Sequence, residues 1–177
     1  MRLRPLLSLL AALSLGACSS LSPLPPPLTY DLGPARAADS AMAEPRLQVQ
    51  ADPALQGTEI VYRLMYLDPR RVESYRDSRW LAPPAELLAA RLSASLHGTG
   101  PLRLQLTAFE QEFTSPTQSQ VHVHVRAWPG VPAEGRAARD FDLLLSAAPD
   151  AAGAVAALST AVDQLARQLE QPWGAKP

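Results

Sequence analysis

Residues 120–128 read QVHVHVRAW. On an extended chain Val121, Val123, Val125 and Ala127 fall on one side, and His122, His124, Arg126 and Trp128 on the other. A period of two over nine residues predicts a β-strand with one dry and one wet face. The same signature stands on either side of it. In 102–109 (LRLQLTAF), Leu102, Leu104, Leu106 and Ala108 alternate with Arg103, Gln105, Thr107 and Phe109. In 139–146 (RDFDLLLS), Phe141, Leu143 and Leu145 alternate with Asp140, Asp142 and Leu144. Turn-like segments at 114–118 and 129–138 join the three as an antiparallel meander, the arrangement that tolerates water on one side only.

The dry side of such a sheet needs a cover, and two segments have helical spacing. In 151–170 Val155, Leu158, Val162, Leu165 and Leu169 recur at intervals of three and four, behind Pro149 and an Asp150 that suits the N-cap. In 84–97 Leu88, Leu92 and Leu96 recur every fourth residue with Leu87 alongside. Pro83 and Pro84 fit the start of that helix, where no amide donor is needed, and His97-Gly98 its end. Upstream, strands are expected at 28–32, 46–50 and 58–67. The last of these (TEIVYRLMYL) is apolar on both sides and reads as a central strand. The expected architecture is α+β: a single, mostly antiparallel sheet of about five or six strands with two helices packed on one face, spanning 28–177.

Composition narrows the function. The 177 residues carry 16 basic and 17 acidic side chains, a formal charge of −1, so the chain lacks the basic footprint of a nucleic-acid binder. A single cysteine allows neither an internal disulfide nor a thiolate zinc cluster.

Where that cysteine stands is informative. Arg2 and Arg4 precede an apolar run over 5–15 (PLLSLLAALSL), too short to span a hydrocarbon core of about 30 Å. This is the pattern of a signal peptide, read here as residues 1–17. It ends in Leu15-Gly16-Ala17-Cys18, a tetrad that resembles the lipobox of bacterial lipoproteins, with Cys18 as the lipidated first residue of the mature chain. Acyl chains on one residue anchor a protein to a membrane without embedding it. Ser19, where an aspartate would signal retention, favours by the same resemblance the inner leaflet of a Gram-negative outer membrane. The next residues (SSLSPLPPP, 19–27) form with Cys18 a proline-rich tether. In polyproline II it reaches roughly 28 Å at about 3.1 Å per residue.

Sequence patterns for catalysis are weak. His122 and His124 share the wet face of a strand, but the third histidine, His97, is expected at a helix end on the other side, and Cys18 is spent on lipid. No metal site is therefore expected. Glu110 and Glu112 read as a hydrated strand end. There is no G-x-S-x-G elbow and no glycine-rich phosphate loop. No cofactor is expected beyond the covalent lipid on Cys18, and the chain reads as a non-enzyme.

One cluster stands out, YRDSRWLAPP at 75–84. Tyr75, Arg76, Arg79, Trp80, Pro83 and Pro84 are candidate partner-binding residues, because aromatic and arginine side chains dominate protein interfaces. The bland alternative is that Trp80 caps the core beneath the helix start. Arg70 and Arg71 form a small basic spot nearby that could face anionic headgroups.

The order of these motifs resembles a known family. The lipobox and proline tether, Y-D-L-G (30–33), I-V-Y-R (60–63) and Y-R-D-S-R-W-x-x-P-P (75–84) are similar to the ABC-type transport auxiliary lipoproteins, the PqiC/YmbA-like outer-membrane lipoproteins. F-E-Q-E-F (109–113), R-D-F-D (139–142) and the terminal P-W (172–173) also fit. The resemblance implies an outer-membrane lipoprotein that faces the periplasm as a non-enzymatic auxiliary component of an ABC-type lipid transport system. Its implied partner is an MCE-domain protein, the subunit type that forms tunnels through the periplasm. Because such proteins assemble as rings, a matching homo-oligomer that multiplies weak contacts is expected. The alternative reading is a periplasmic lipoprotein that binds a lipid or small ligand in a groove beside Trp80.

Overall fold

The computed structural model describes residues 25–34, 47–96, 101–130 and 138–172. The signal peptide, Cys18, the first part of the tether, His97-Gly98 and Trp173 lie outside the described residues. Seven strands and two helices follow one another: β1 (Leu28–Tyr30), β2 (Leu47–Ala51), β3 (Glu59–Leu64), β4 (Val72–Trp80), α1 (Pro84–Ser93), β5 (Leu102–Ser115), β6 (Gln118–Pro129), β7 (Arg139–Ala147) and α2 (Ala151–Leu169). All seven strands form one sheet in the order β1-β4-β3-β5-β6-β7, with β2 also paired to β5.

The expected meander of β5, β6 and β7 is present and antiparallel throughout. The rest corrects the expectation of a mostly antiparallel sheet of five or six strands. β1 runs parallel to β4, and β2 and β3 both run parallel to β5. The sheet is mixed because of the length of β5. Its 14 residues give one long edge, which β2 occupies beside Leu102–Leu106 and β3 beside Gln111–Phe113. The single turn of 3₁₀ helix at Pro53–Leu55 carries the chain from the first of these places to the second.

β5 also changes phase. Its pairing with β6 slips between Leu106 and Ala108, a bulge that puts an extra residue into one strand. Leu102, Leu104 and Leu106 face the core before it; Phe109, Gln111 and Phe113 do so after it. Phe109, expected on the wet side with Thr107, is therefore buried. Glu110 and Glu112 are not at a strand end; they lie in mid-strand on the outer face.

Both helices cover the same face and touch each other. α1 begins on Pro84, its first turn closed by the Leu87 amide to the Pro83 carbonyl at 3.2 Å, and buries Leu87, Leu88 and Leu92. α2 is capped by Asp150, whose carboxylate accepts from the Gly153 amide at 2.6 Å. Gly153 is required there, since a Cβ would stand 2.5 Å from the Ala148 carbonyl oxygen. Leu158, Val162, Leu165 and Leu169 of the expected stripe of α2 are buried and Val155 partly so, flanked by Ala154, Ala157 and Ala161. These small side chains let the helix settle close onto Val121, Val123 and Val125.

The segment after β1 is bolted to both helices. Gly33 adopts φ 76°, and its amide donates to the Asp31 carboxylate at 2.8 Å. Leu32 drops into the core, and its carbonyl accepts from Ser159 of α2 at 3.0 Å. Arg91 of α1 donates to the carbonyls of Gly33 and Pro34 and makes a bidentate pair with Asp163 of α2, at 2.9 and 3.1 Å. One guanidinium thus ties the incoming chain, α1 and α2 together. The Y-D-L-G motif is this clip.

Candidate functional site

The YRDSRW cluster, left without a secondary structure by its sequence pattern, is the second half of β4. Its register with β3 slips between Glu59 and Val61, so β4 presents Tyr75 and then Ser78 and Trp80 to the helix side. Trp80 is 1% exposed and its ring lies 5.6 Å from that of Phe109. It is a core residue. Pro84 is buried at the start of α1 and Pro83 is partly covered. Arg76 and Arg79 are exposed. The six candidates are therefore neighbours on one strand and one turn, but they do not form one surface.

Tyr75 belongs to a different group, at the far end of the helix-covered face. Its ring lies 4.9 Å from that of Tyr62, which meets Phe113 edge-on at 5.6 Å. Its hydroxyl donates to the Gln111 side-chain oxygen at 2.5 Å. The Gln111 amide nitrogen donates in turn to Ser119 Oγ at 2.7 Å and to the Ala148 carbonyl at 2.8 Å. Gln111 is wholly buried, and this amide joins β4, β5, β6 and the approach to α2. Burial, with smaller contributions from Tyr62 and Asp150, pushes the Tyr75 phenol up to about 12. Gln111 lies between two glutamates in a stretch that reads as polar, and only the bulge in β5 turns it inward.

Beyond this group β3 and β4 are joined by a turn over residues 65–71. Met65, Tyr66 and Leu67 were expected to continue the strand; they sit in the turn, 37%, 41% and 69% exposed. The Asp68-Pro69 pair that follows them is a turn signal, and it marks the place where the strand gives way. Arg70 pairs with Asp68 at 3.1 Å and holds its carboxyl below the ordinary value, while Arg71 pairs with Glu73 at 2.9 Å. The basic spot is thus neutralised by its own neighbours.

The outer face carries a ladder of charged side chains. Arg63 Nε contacts both oxygens of Glu110, at 2.8 and 2.9 Å. His122 lies between Glu112 at 3.2 Å and Asp142 at 2.8 Å. Glu110, Glu112 and His122 each offer a ligand atom within 4.8 Å of the others, a grouping that could hold a metal ion. The guanidinium already neutralises Glu110 and Gln120 donates to Glu112 at 2.9 Å, so these carboxylates are engaged without one. His124 shares the face but meets Thr107 instead.

On the outer margin of the sheet β7 pairs with β6 alone among the described strands, which leaves its second row of backbone groups facing outward. Among the described residues no helix is long and apolar enough to cross a membrane.

Residues 30–138, from the clip after β1 to the threshold of β7, match the sequence pattern of the ABC-type transport auxiliary lipoprotein component family. The chain belongs to this family. The family's fold is visible in solved relatives. A protein of Xanthomonas campestris, of the family DUF330, is 18% identical and superposes with a TM-score of 0.62 over 80% of this chain and 91% of its own. A second, uncharacterized protein is 16% identical with a TM-score of 0.61, over 83% of this chain and 98% of its own. At these identities the likeness concerns the fold. No protein of curated function matches the sequence. The family is described as an auxiliary component of ABC-type transport. Within the matched range, Y-D-L-G and Y-R-D-S-R-W-x-x-P-P build the clip and the core strand that hold the domain together.

Proposed function

We propose that this protein is a lipid-anchored, non-enzymatic docking component of an MCE-type ABC lipid transport system, held at the outer membrane and facing the periplasm. The observation that carries the reading is the family match over 30–138. The Leu15-Gly16-Ala17-Cys18 tetrad and the proline-rich 19–27 supply the anchor and the stalk. Anchoring converts the search for a periplasm-spanning partner into an encounter at high local concentration, so a modest contact suffices. Two features suit such a contact. The open edge of β7 can accept a partner strand through its backbone, and a ring of identical subunits would multiply weak contacts with a ring-shaped MCE assembly.

The test has two readings. Mass spectrometry of the membrane-extracted protein should find acyl chains on Cys18, and Cys18→Ala should abolish palmitate labelling. Cross-linking in intact cells, with photoreactive side chains along β7, should then capture the MCE-domain protein encoded with the transporter. An acylated chain that captures no transport component from any position on its surface would refute the docking role while leaving the anchor standing.

A further inference from the structure

We infer that the β3–β4 turn, through Met65, Tyr66 and Leu67, inserts into the surface of the bilayer to which the chain is anchored. The inference rests on the proposed lipidation of Cys18 and adds a second membrane contact, made by the folded domain.

The first argument is the direction of the chain. β1 runs parallel to β4 with Leu28 beside Ser78 and Tyr30 beside Trp80. Followed backward from Leu28, the chain therefore heads toward the Val72 end of β4, where the turn lies. From Ser78 to Val72 is six residues of strand, roughly 20 Å at about 3.3 Å per residue. Cys18 is ten residues before Leu28, and a chain of that length spans at most roughly 36 Å. A chain of that length is long enough for a bilayer anchored at Cys18 to meet the turn.

The second argument is chemical. Seven large apolar side chains are well exposed among the described residues, and four of them, Met65, Tyr66, Leu67 and Val72, lie on this turn and the strand start beside it. Three large apolar residues in succession at a protruding tip are costly in water and favourable at a lipid interface, where a tyrosine suits the boundary of headgroup and chain. The charges around them cancel: Arg70 is paired with Asp68 and Arg71 with Glu73. The contact is therefore by apolar insertion, insensitive to salt. Arg76 is likewise paired, with Asp77 at 3.4 Å. A tethered domain that touches the bilayer at its tip has a fixed orientation, which presents β7 in a constant direction.

The test uses the acylated full-length protein. Once Cys18 carries lipid, Leu67→Cys introduces the one free thiol, which takes an environment-sensitive dye without disturbing a core position. Gln48→Cys serves as the control. Gln48 is exposed on β2 beside Arg103, near the opposite end of β5. In vesicles of phosphatidylethanolamine and phosphatidylglycerol, dye at position 67 should emit brighter and bluer light and be quenched by brominated lipid chains, equally at low and high salt. Dye at position 48 should remain in water. A dye at 67 as hydrated as the control overturns the inference, as does a dye at 67 that is shielded only when envelope proteins are added, since the tip would then meet a protein. A Cys18 found without acyl chains by mass spectrometry overturns the anchor itself, and is read separately from the dye.

Discussion

The two faces of the sheet are built from alternate residues of the same strands, yet they hold together by different physics. On the helix side Val121, Val123, Val125, Phe109 and Trp80 lie at 1% exposure or less and are locked by shape. On the outer side Arg63 pairs with Glu110, and His122 bonds to Glu112 and Asp142, in contacts that stay open to water. Dense packing penalises every lost methylene, whereas a hydrated ion pair exchanges protein partners for solvent at little cost. Stability should therefore reside on one face, and the other should be free to vary or to bind.

The largest test of that asymmetry is Trp80→Ala. Removing an indole packed on Phe109 should cost about 3 to 5 kcal/mol in denaturant unfolding. A loss below about 1 kcal/mol, within what surface substitutions cost, would show that β4 is not part of the core. Next comes Asp163→Ala, which leaves the Arg91 guanidinium, 9% exposed, with only carbonyl partners. Its expected cost is about 2 to 3 kcal/mol, less than for a fully buried pair because Asp163 keeps some water. The double variant Arg91→Met with Asp163→Leu should recover most of it.

Gln111→Leu probes a polar knot on the dry face. It strands the Tyr75 hydroxyl and the Ala148 carbonyl, with an expected loss of about 1 to 3 kcal/mol. The same knot has a pH signature. The Tyr75 phenol titrates above its ordinary 10.0 in the folded protein, near 12, because burial disfavours the phenolate. Its contribution to stability is therefore complete below pH 10 and lost as pH rises toward 12. Tyr62, raised by burial and by Glu73, adds to the loss at alkaline pH. Tyr75→Phe should make unfolding free energy less steep between pH 10 and 12; an unchanged slope would place the phenol in water. The smallest effect is expected on the outer face. Asp142→Asn weakens the contact to His122 but should change stability by less than about 1 kcal/mol, since that carboxylate is 63% exposed.

The same contrast governs what could be read from the residues in order. Period-two alternation announced β6 and β7, and three-four spacing announced α2, because those elements obey one local rule from end to end. β5 obeys it only as far as Leu106. Beyond the bulge every side chain changes side, so Phe109 and Gln111 looked outward and Glu110 looked terminal. The second half of β4 escaped for the same reason, since Tyr75 and Trp80 reach one face only through an irregular register. Of the candidate surface at 75–84, Arg76 and Arg79 are on the surface, whereas Trp80 took the bland role weighed for it.

What the order of amino acids determined by itself is the inventory: an α+β body, an antiparallel meander, two covering helices and membership of a transport auxiliary lipoprotein family. Each of these follows from local chemistry, from the period of apolar residues, the turn residues, or the identity of a short motif. What only the tertiary structure decided is pairing. That β2 and β3 share one edge of β5, that Arg91 clasps two helices and the chain after β1, and that β1 lies parallel to β4 are facts about which distant segments meet. A bulge or a parallel register changes which side chains become neighbours while leaving composition and spacing almost untouched, so these contacts are settled by the packing of the whole.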